Sequence, residues 1–387
     1  RTGATVNFSN FIERKQMNRK RVQLISWGMG MFVYFSDYFS PLFVGSTMRS
    51  LSDRYKISRE KLAYICDSTS APMSILVPFT GWAVFVAGLT IGMGPVAGAG
   101  DAMSFFMAAI PFNIYPILTI IMVGLIASGT VPDFGPMKTA ERRAMEEGKV
   151  VRDGGEPLMA DELTGIEPSP GIRTSLFWNF VFPVMLVIGF ALGSVYMTDS
   201  AKPLEAFMLA VFVLAIIMRI QGLALDEITS TAMLGIKGIM PAVVILAFAY
   251  ALNDLSAALN TADYIVSVTS GWLTPALLPV LVFVISGIIA FSTGTSWGTY
   301  AIMIPISVPL AFTFSGDELS TLVYATLAAT AGGGVFGDHC SPLSDTSILA
   351  STGAASDHID HVKTQMPYSL VVGVITVLAY LWLGMSL

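Results

Sequence analysis

Phe336-Gly337-Asp338-His339-Cys340-Ser341-Pro342-Leu343-Ser344-Asp345-Thr346 closes an apolar run that begins near residue 321. Pro342 has no backbone donor and would interrupt a helix continuing through it. Ionisable side chains in apolar surroundings are costly and mark transport pathways. A broken helix also leaves amides and carbonyls that can hold an ion in place of water. Asp338, Ser341, Asp345, Thr346 and Ser347 would then crowd one small hydrophilic pocket. A related stretch stands near the start, Phe35-Ser36-Asp37-Tyr38-Phe39-Ser40-Pro41-Leu42, and is followed by Asp67-Ser68-Thr69-Ser70. The recurrence reads as a repeat with its site at the breaks. The bland alternative is a polar loop at a membrane surface that caps two helices.

Composition fixes the solvent. Of 387 residues, 54% are hydrophobic and 12% charged, about half the charged share of a soluble domain. Mean hydropathy is +0.69. Short alternating segments of the barrel type are absent, so the spans are expected to be helices. The fold expected is an all-α integral membrane protein of about ten transmembrane spans. They would form two repeats, inverted relative to each other, with broken or re-entrant helices. A net charge of −6 argues against a nucleic-acid partner. Cys66 and Cys340 are too few for a disulfide framework and read as apolar fillers. No phosphate loop and no nucleophile–base pair is evident, so neither ATP-driven transport nor an enzyme is expected, and no cofactor.

Candidate spans are 22–35 continuing towards 43, 71–90, 105–130, 174–196, 204–222, 239–256, 273–291, 297–314, 321–336 and 366–386. The expected organisation is a first repeat at 1–130, a hydrophilic cytoplasmic linker at 131–173, and a second half at 174–387. With the linker inside, the basic clusters Arg14–Arg21 and Arg49–Lys61 both fall inside as well. That makes 22–42 a re-entrant hairpin, in conflict with two motif copies approaching from opposite faces. The chain opens at Arg1 without a signal-peptide core, and N-terminal helices are expected to precede it.

Thr293-Gly294-Thr295-Ser296-Trp297-Gly298-Thr299 interrupts the apolar run 279–314. It reads either as a discontinuous helix lining a pathway or as small-residue packing with back-bonded hydroxyls. Asn253-Asp254 reads as a loop start or as part of the site. Trp82, Trp178, Trp272 and Trp382 read as interfacial anchors. His358 and His361 are expected on an exposed helix start capped by Asp357. Their spacing with His339 fits no zinc pattern. His339, beside Asp338, is a candidate proton relay.

The stretch 336–346, with Ser351-Thr352-Gly353 and Asp357-His358-Ile359-Asp360-His361-Val362, resembles the signature of the NhaC-type Na⁺/H⁺ antiporters. Thr293–Thr299 with Ile304-Pro305-Ile306 also matches, as does Arg59-Glu60-Lys61-Leu62-Ala63-Tyr64 running into Asp67-Ser68-Thr69. The resemblance covers roughly 30–90 and 240–375. It implies a multi-pass secondary transporter of the bacterial inner membrane, exchanging Na⁺ for H⁺. A sodium- and proton-coupled exchanger of organic acids such as malate and lactate is the alternative. The ion and proton carriers would be Asp338 and Asp345, with Na⁺ held between them, helped by Asp67 and Asp37. Thr293, Thr295, Ser296, Ser341 and Thr346 would add neutral oxygens. Buried carboxylates favour the protonated form through desolvation and mutual repulsion, so one site can hold either ion. The partners expected are Na⁺, H⁺, the lipid bilayer and a second copy in a homodimer.

Overall fold

The computed structural model describes residues 17–34, 36–78, 80–157, 175–198, 203–233, 236 and 274–386. The expected span at 239–256, Asn253, Asp254 and Trp272 lie outside these. The described residues are helical, apart from an isolated bridge between Pro157 and Asp357. Two compact units are present, one bounded as Arg1–Met17 with Met159–Val244, the other as Asn18–Leu158 with Ile245–Leu387.

The larger unit carries α1 (Arg19–Phe32), α2 (Phe39–Arg54), α3 (Arg59–Asp67), α4 (Ala71–Leu76), α5 (Gly81–Gly88), α6 (Ala99–Ala109), α7 (Ile114–Ala127) and α8 (Gly135–Glu146). The smaller unit holds α9 (Phe182–Thr198), entered through a π-helical stretch at Phe177–Val181, and α10 (Pro203–Ile220). Asn179 and Gln221 pair their amides reciprocally there, at 2.6 and 3.1 Å. The larger unit resumes with α11 (Leu278–Thr293), α12 (Ser296–Phe314), α13 (Thr321–Cys340), α14 (Asp345–Ala354) and α15 (His358–Met385). Helix starts follow the capping residues: Ser58, Thr80, Ser320, Ser344 and Asp357 each accept a backbone N–H from three residues ahead.

Proline and glycine cut the apolar runs into pieces. Among the described residues, only α12 and α15 are single helices long and apolar enough to cross a membrane. Up to four spans result if α3–α5 and α6–α7 each count as one bent span, the latter bent by 50°.

One end of the larger unit is charged. Arg19 pairs with Glu141, Lys61 with Asp133, Arg143 with Glu60, and Arg152 with Asp360. The linker expected at 131–173 thus contains a helix, α8, clamped onto α3. The opposite end brings Gly94 against Phe312 and Gly384 against Ala276.

α1 with α2 and α11 with α12 pack as two helical hairpins. The outer ends of α1 and α2 lie at the charged face, where Arg19 pairs with Glu141 and Lys56 Nζ donates to the Met145 carbonyl. α11 and α12 turn at Gly294. Each hairpin is followed by a broken helix, α3–α4–α5 in one half and α13–α14 in the other. The two motif copies therefore lie in different kinds of element. Asp37 sits at a hairpin tip, whereas Asp338 lies in a broken helix, as does Asp67.

α13 and α11 meet backbone to backbone. A Cβ at Gly337 would strike the Gly287 carbonyl of α11, the close approach that small residues permit between membrane helices.

Candidate functional site

The break at 341–344 follows the expected chemistry. α13 ends at Cys340, Ser341 turns extended (φ −85°, ψ 129°), and Ser344 restarts the chain as the cap of α14. Ser341 Oγ donates to the Phe291 carbonyl at 2.7 Å and accepts from Leu343 N at 3.1 Å. It ties the break to α11 and does not reach the carboxylates. Gly294 ends α11 at φ 70°, where an L side chain is strained, and a Cβ there would meet the Leu343 carbonyl. The turn between α11 and α12 therefore seats directly on the break.

Asp338 is 1% exposed. Its Oδ2 accepts from Ser296 Oγ at 3.0 Å and Thr346 Oγ1 at 3.3 Å. Its Oδ1 is buried with no protein partner, and so is Thr295 Oγ1. Asp345 Oδ2 accepts from Tyr38 OH at 2.8 Å. Asp37, buried at the tip between α1 and α2, lies beside the indoles of Trp82 and Trp297 and within range of the Asp345 charge. The two indole rings cross at 5.3 Å. Asp338 and Asp345 also feel each other's charge.

Asp67 occupies a second cluster at the end of α3. It is fully buried, and its Oδ2 receives Ser347 Oγ at 2.7 Å, Gln365 Nε2 at 2.6 Å and His361 Nε2 at 3.3 Å. His339 turns to this cluster and not to the Asp338 carboxylate. Its Nδ1 hydrogen-bonds Tyr115 OH at 3.2 Å, and its carbonyl accepts from Gln365 Nε2 at 3.0 Å.

The first turn of α14 joins everything. Asp345 meets Tyr38 of the hairpin tip, Thr346 meets Asp338, and Ser347 meets Asp67. The positive end of the helix lies under all three.

The structure thus gathers Asp338, Asp345, Ser296, Thr346 and Asp37 around the breaks, with Thr295 adjacent, and sets Asp67 and His339 in a neighbouring cluster. Thr293 is outside. It is exposed, and its Oγ1 donates to the Ile289 carbonyl at 2.8 Å. Within 293–299, Thr293 and Thr299 are back-bonded and Gly294 interrupts the helix.

Two expectations are corrected. His361 is fully buried on Asp67, because α15 starts beneath the segment 152–157 and not in solvent. Trp82 is 2% exposed in the site, whereas Trp178 and Trp382 are exposed as anchors would be. Gln365 was missed, although a glutamine four residues after His361 shares its helix face. Tyr38, a further omission, lay inside the quoted motif.

Among the described residues no three His, Cys, Asp or Glu side chains converge on a metal ion. The Asp338 donors are all oxygen, the set that hard cations prefer. Asp357 caps α15 as expected, outside the spans. Burial works against its charge, but the amides of Glu156 and Asp360 and the Arg152 guanidinium hold its carboxyl below the ordinary range.

Comparison with known proteins fits this picture. Residues 84–385 match the model of the Na⁺/H⁺ antiporter family. An uncharacterized protein of Haemophilus influenzae is 31% identical over 411 residues, covering 100% of this chain and 75% of the relative. A malate-2H(+)/Na(+)-lactate antiporter of Bacillus subtilis is 25% identical over 207 residues, 53% of this chain and 43% of the relative. An arginine/ornithine antiporter of Halobacterium salinarum is 36% identical over 114 residues, 30% of this chain and 22% of the relative. An integral membrane protein of apolar, broken helices, this chain belongs to the Na⁺/H⁺ antiporter family.

Proposed function

We propose that the protein is a secondary antiporter exchanging Na⁺ for H⁺ across the bacterial inner membrane. One observation carries the reading. Asp37, Asp338 and Asp345 lie together near the helix breaks, and among the described residues none of the Lys or Arg ion pairs reaches them. Buried negative charge without a resident cation suits a cationic cargo.

Na⁺ would be bound by Asp338 and Asp345 with the hydroxyls of Ser296 and Thr346. The unpartnered Asp338 Oδ1 and Thr295 Oγ1 offer further oxygens. Desolvation and mutual repulsion let such carboxylates hold a proton when Na⁺ leaves. Competition for one site gives exchange without a further device.

The charged end is cytoplasmic by the positive-inside rule. On this reading the two halves are inverted repeats whose hairpins enter from opposite sides of the membrane. The hairpin tips and helix breaks are the parts that would move between inward and outward states.

The second reading is an organic-acid exchanger, favoured by the likeness to the malate/lactate antiporter across 53% of the chain. Proteoliposomes with an internal pH dye and an imposed pH gradient separate the two. Dissipation by Na⁺ alone, lost in Asp338→Asn, supports cation exchange. Silence until malate or lactate is added with Na⁺ overturns it.

A further inference from the structure

Asp67 and Asp338 are both buried carboxylates in broken helices, but the atoms around them differ in kind. Asp338 meets only hydroxyls, whose oxygens can turn towards a cation. Asp67 Oδ2 meets an amide N–H, an imidazole nitrogen and a hydroxyl, within 2.6–3.3 Å. A cation approaching that oxygen runs into hydrogens.

Four further polar atoms on buried side chains here have no protein partner: Asp67 Oδ1, His361 Nδ1, His339 Nε2 and Gln365 Oε1. They come from α3, α13 and α15. Buried polar atoms are normally satisfied. His361 touches Asp67 through Nε2, so its Nδ1 is the nitrogen left open.

We infer that Asp67 and His361 form a proton site distinct from the cation site, coupled to it through the first turn of α14. This rests on the antiport reading above. Uptake of one proton takes the pair from a neutral imidazole with a carboxylate to a net-neutral pair, and release reverses it. No other bond changes.

Groups facing the pair are Cys66 on α3, Asp338 and His339 on α13, Asp345 on α14 and Tyr115 on α7. On helix α8, Arg143 pairs with Glu60 and Glu141 with Arg19. On the charged side a crevice of about 490 Å³ is lined by Asp360 and Thr364. Thr364 Oγ1 donates to the His361 carbonyl at 2.9 Å.

Coupling follows from adjacency. Thr346 holds Asp338 and Ser347 holds Asp67, so α14 cannot move for one carboxylate without moving for the other.

The chain has three histidines, so ¹⁵N-histidine labelling gives few signals, and His361 is assigned by its loss in His361→Gln. The His361 signal should report proton uptake, with or without Na⁺. Asp67→Asn should weaken that uptake about tenfold. Thermal stabilisation by Na⁺ is read in parallel. At high pH, His361→Gln and Asp67→Asn should keep Na⁺ affinity within about twofold, while Asp338→Asn loses the effect. The first two variants should also flatten the loss of Na⁺ affinity at acid pH.

A His361 signal that does not titrate overturns the inference. So does loss of Na⁺ stabilisation at high pH in Asp67→Asn, which would make Asp67 a cation ligand. If the parent protein shows no Na⁺ stabilisation, it is the antiport reading that falls, and the histidine titration still decides the proton site. His361→Gln keeps a polar side chain of similar length, so it stands as a second test if Asp67→Asn fails to fold.

Discussion

At the charged face Glu60 meets Arg143, Asp133 meets Lys61, Glu141 meets Arg19 and Asp360 meets Arg152. At the helix breaks Asp37, Asp67, Asp338 and Asp345 meet hydroxyls, indoles, an imidazole and an amide. The residue types are the same and the compensation is opposite. At the face, charge is cancelled by permanent partners, and the interaction holds α1, α3, α8 and α15 together. At the breaks, charge is left for something that arrives and departs. Burial alone does not separate the two groups, since Lys61 is as buried as Asp67. What separates them is whether a fixed cation stands opposite.

That distinction can be broken by experiment. Asp338→Asn should lower Na⁺-driven exchange by at least about a hundredfold while the folded protein keeps its melting temperature. Retained exchange would place the cargo elsewhere. Asp133→Asn should do the reverse. It leaves Lys61 fully buried without its partner and costs about 3 kcal/mol of stability by denaturant titration, with exchange per folded molecule retained. Loss of exchange at full stability would show that the face is part of the pathway.

Asp357→Ala should remove the α15 cap for about 1 kcal/mol. Because the folded carboxyl is held below its ordinary range, its contribution is complete above about pH 4 and fades as pH falls further. The melting temperatures of parent and variant should therefore converge only in acid. Lys149→Ala, at an exposed pair with Asp153, should leave melting unchanged within error.

Several parts of this arrangement were legible in the residues. Pro342 and Gly294 announced their breaks, since a missing donor and a left-handed φ have local causes. Asp338 and Asp345 stood out because carboxylates in apolar runs are rare.

Other parts depended on contacts that spacing does not encode. Ser296 reaches Asp338 across 42 residues and Ser347 reaches Asp67 across 280. His361 was misread because a cap at Asp357 places it one turn into a helix, a position usually wet. Here the segment 152–157 covers that turn. Trp82 was misread because tryptophan favours membrane interfaces, whereas this one faces Asp37. The two copies of the short aspartate, serine and proline motif stand in different settings, Asp37 between α1 and α2 and Asp338 near the end of α13, a difference that the motif itself does not encode.

The interlocking of α2 with α14, where Gly353 of α14 abuts the Pro41 carbonyl of α2, bears on biosynthesis. Asp37 and Asp67 leave the ribosome roughly three hundred residues before the side chains that enclose them. Until α14 and α15 arrive, the early hairpin has no dry place for its aspartates and must wait in a wetter, shallower setting. The functional centre therefore assembles only after α14 and α15 have emerged. A nascent chain stalled before residue 345 would carry unshielded carboxylates that quality control can recognise.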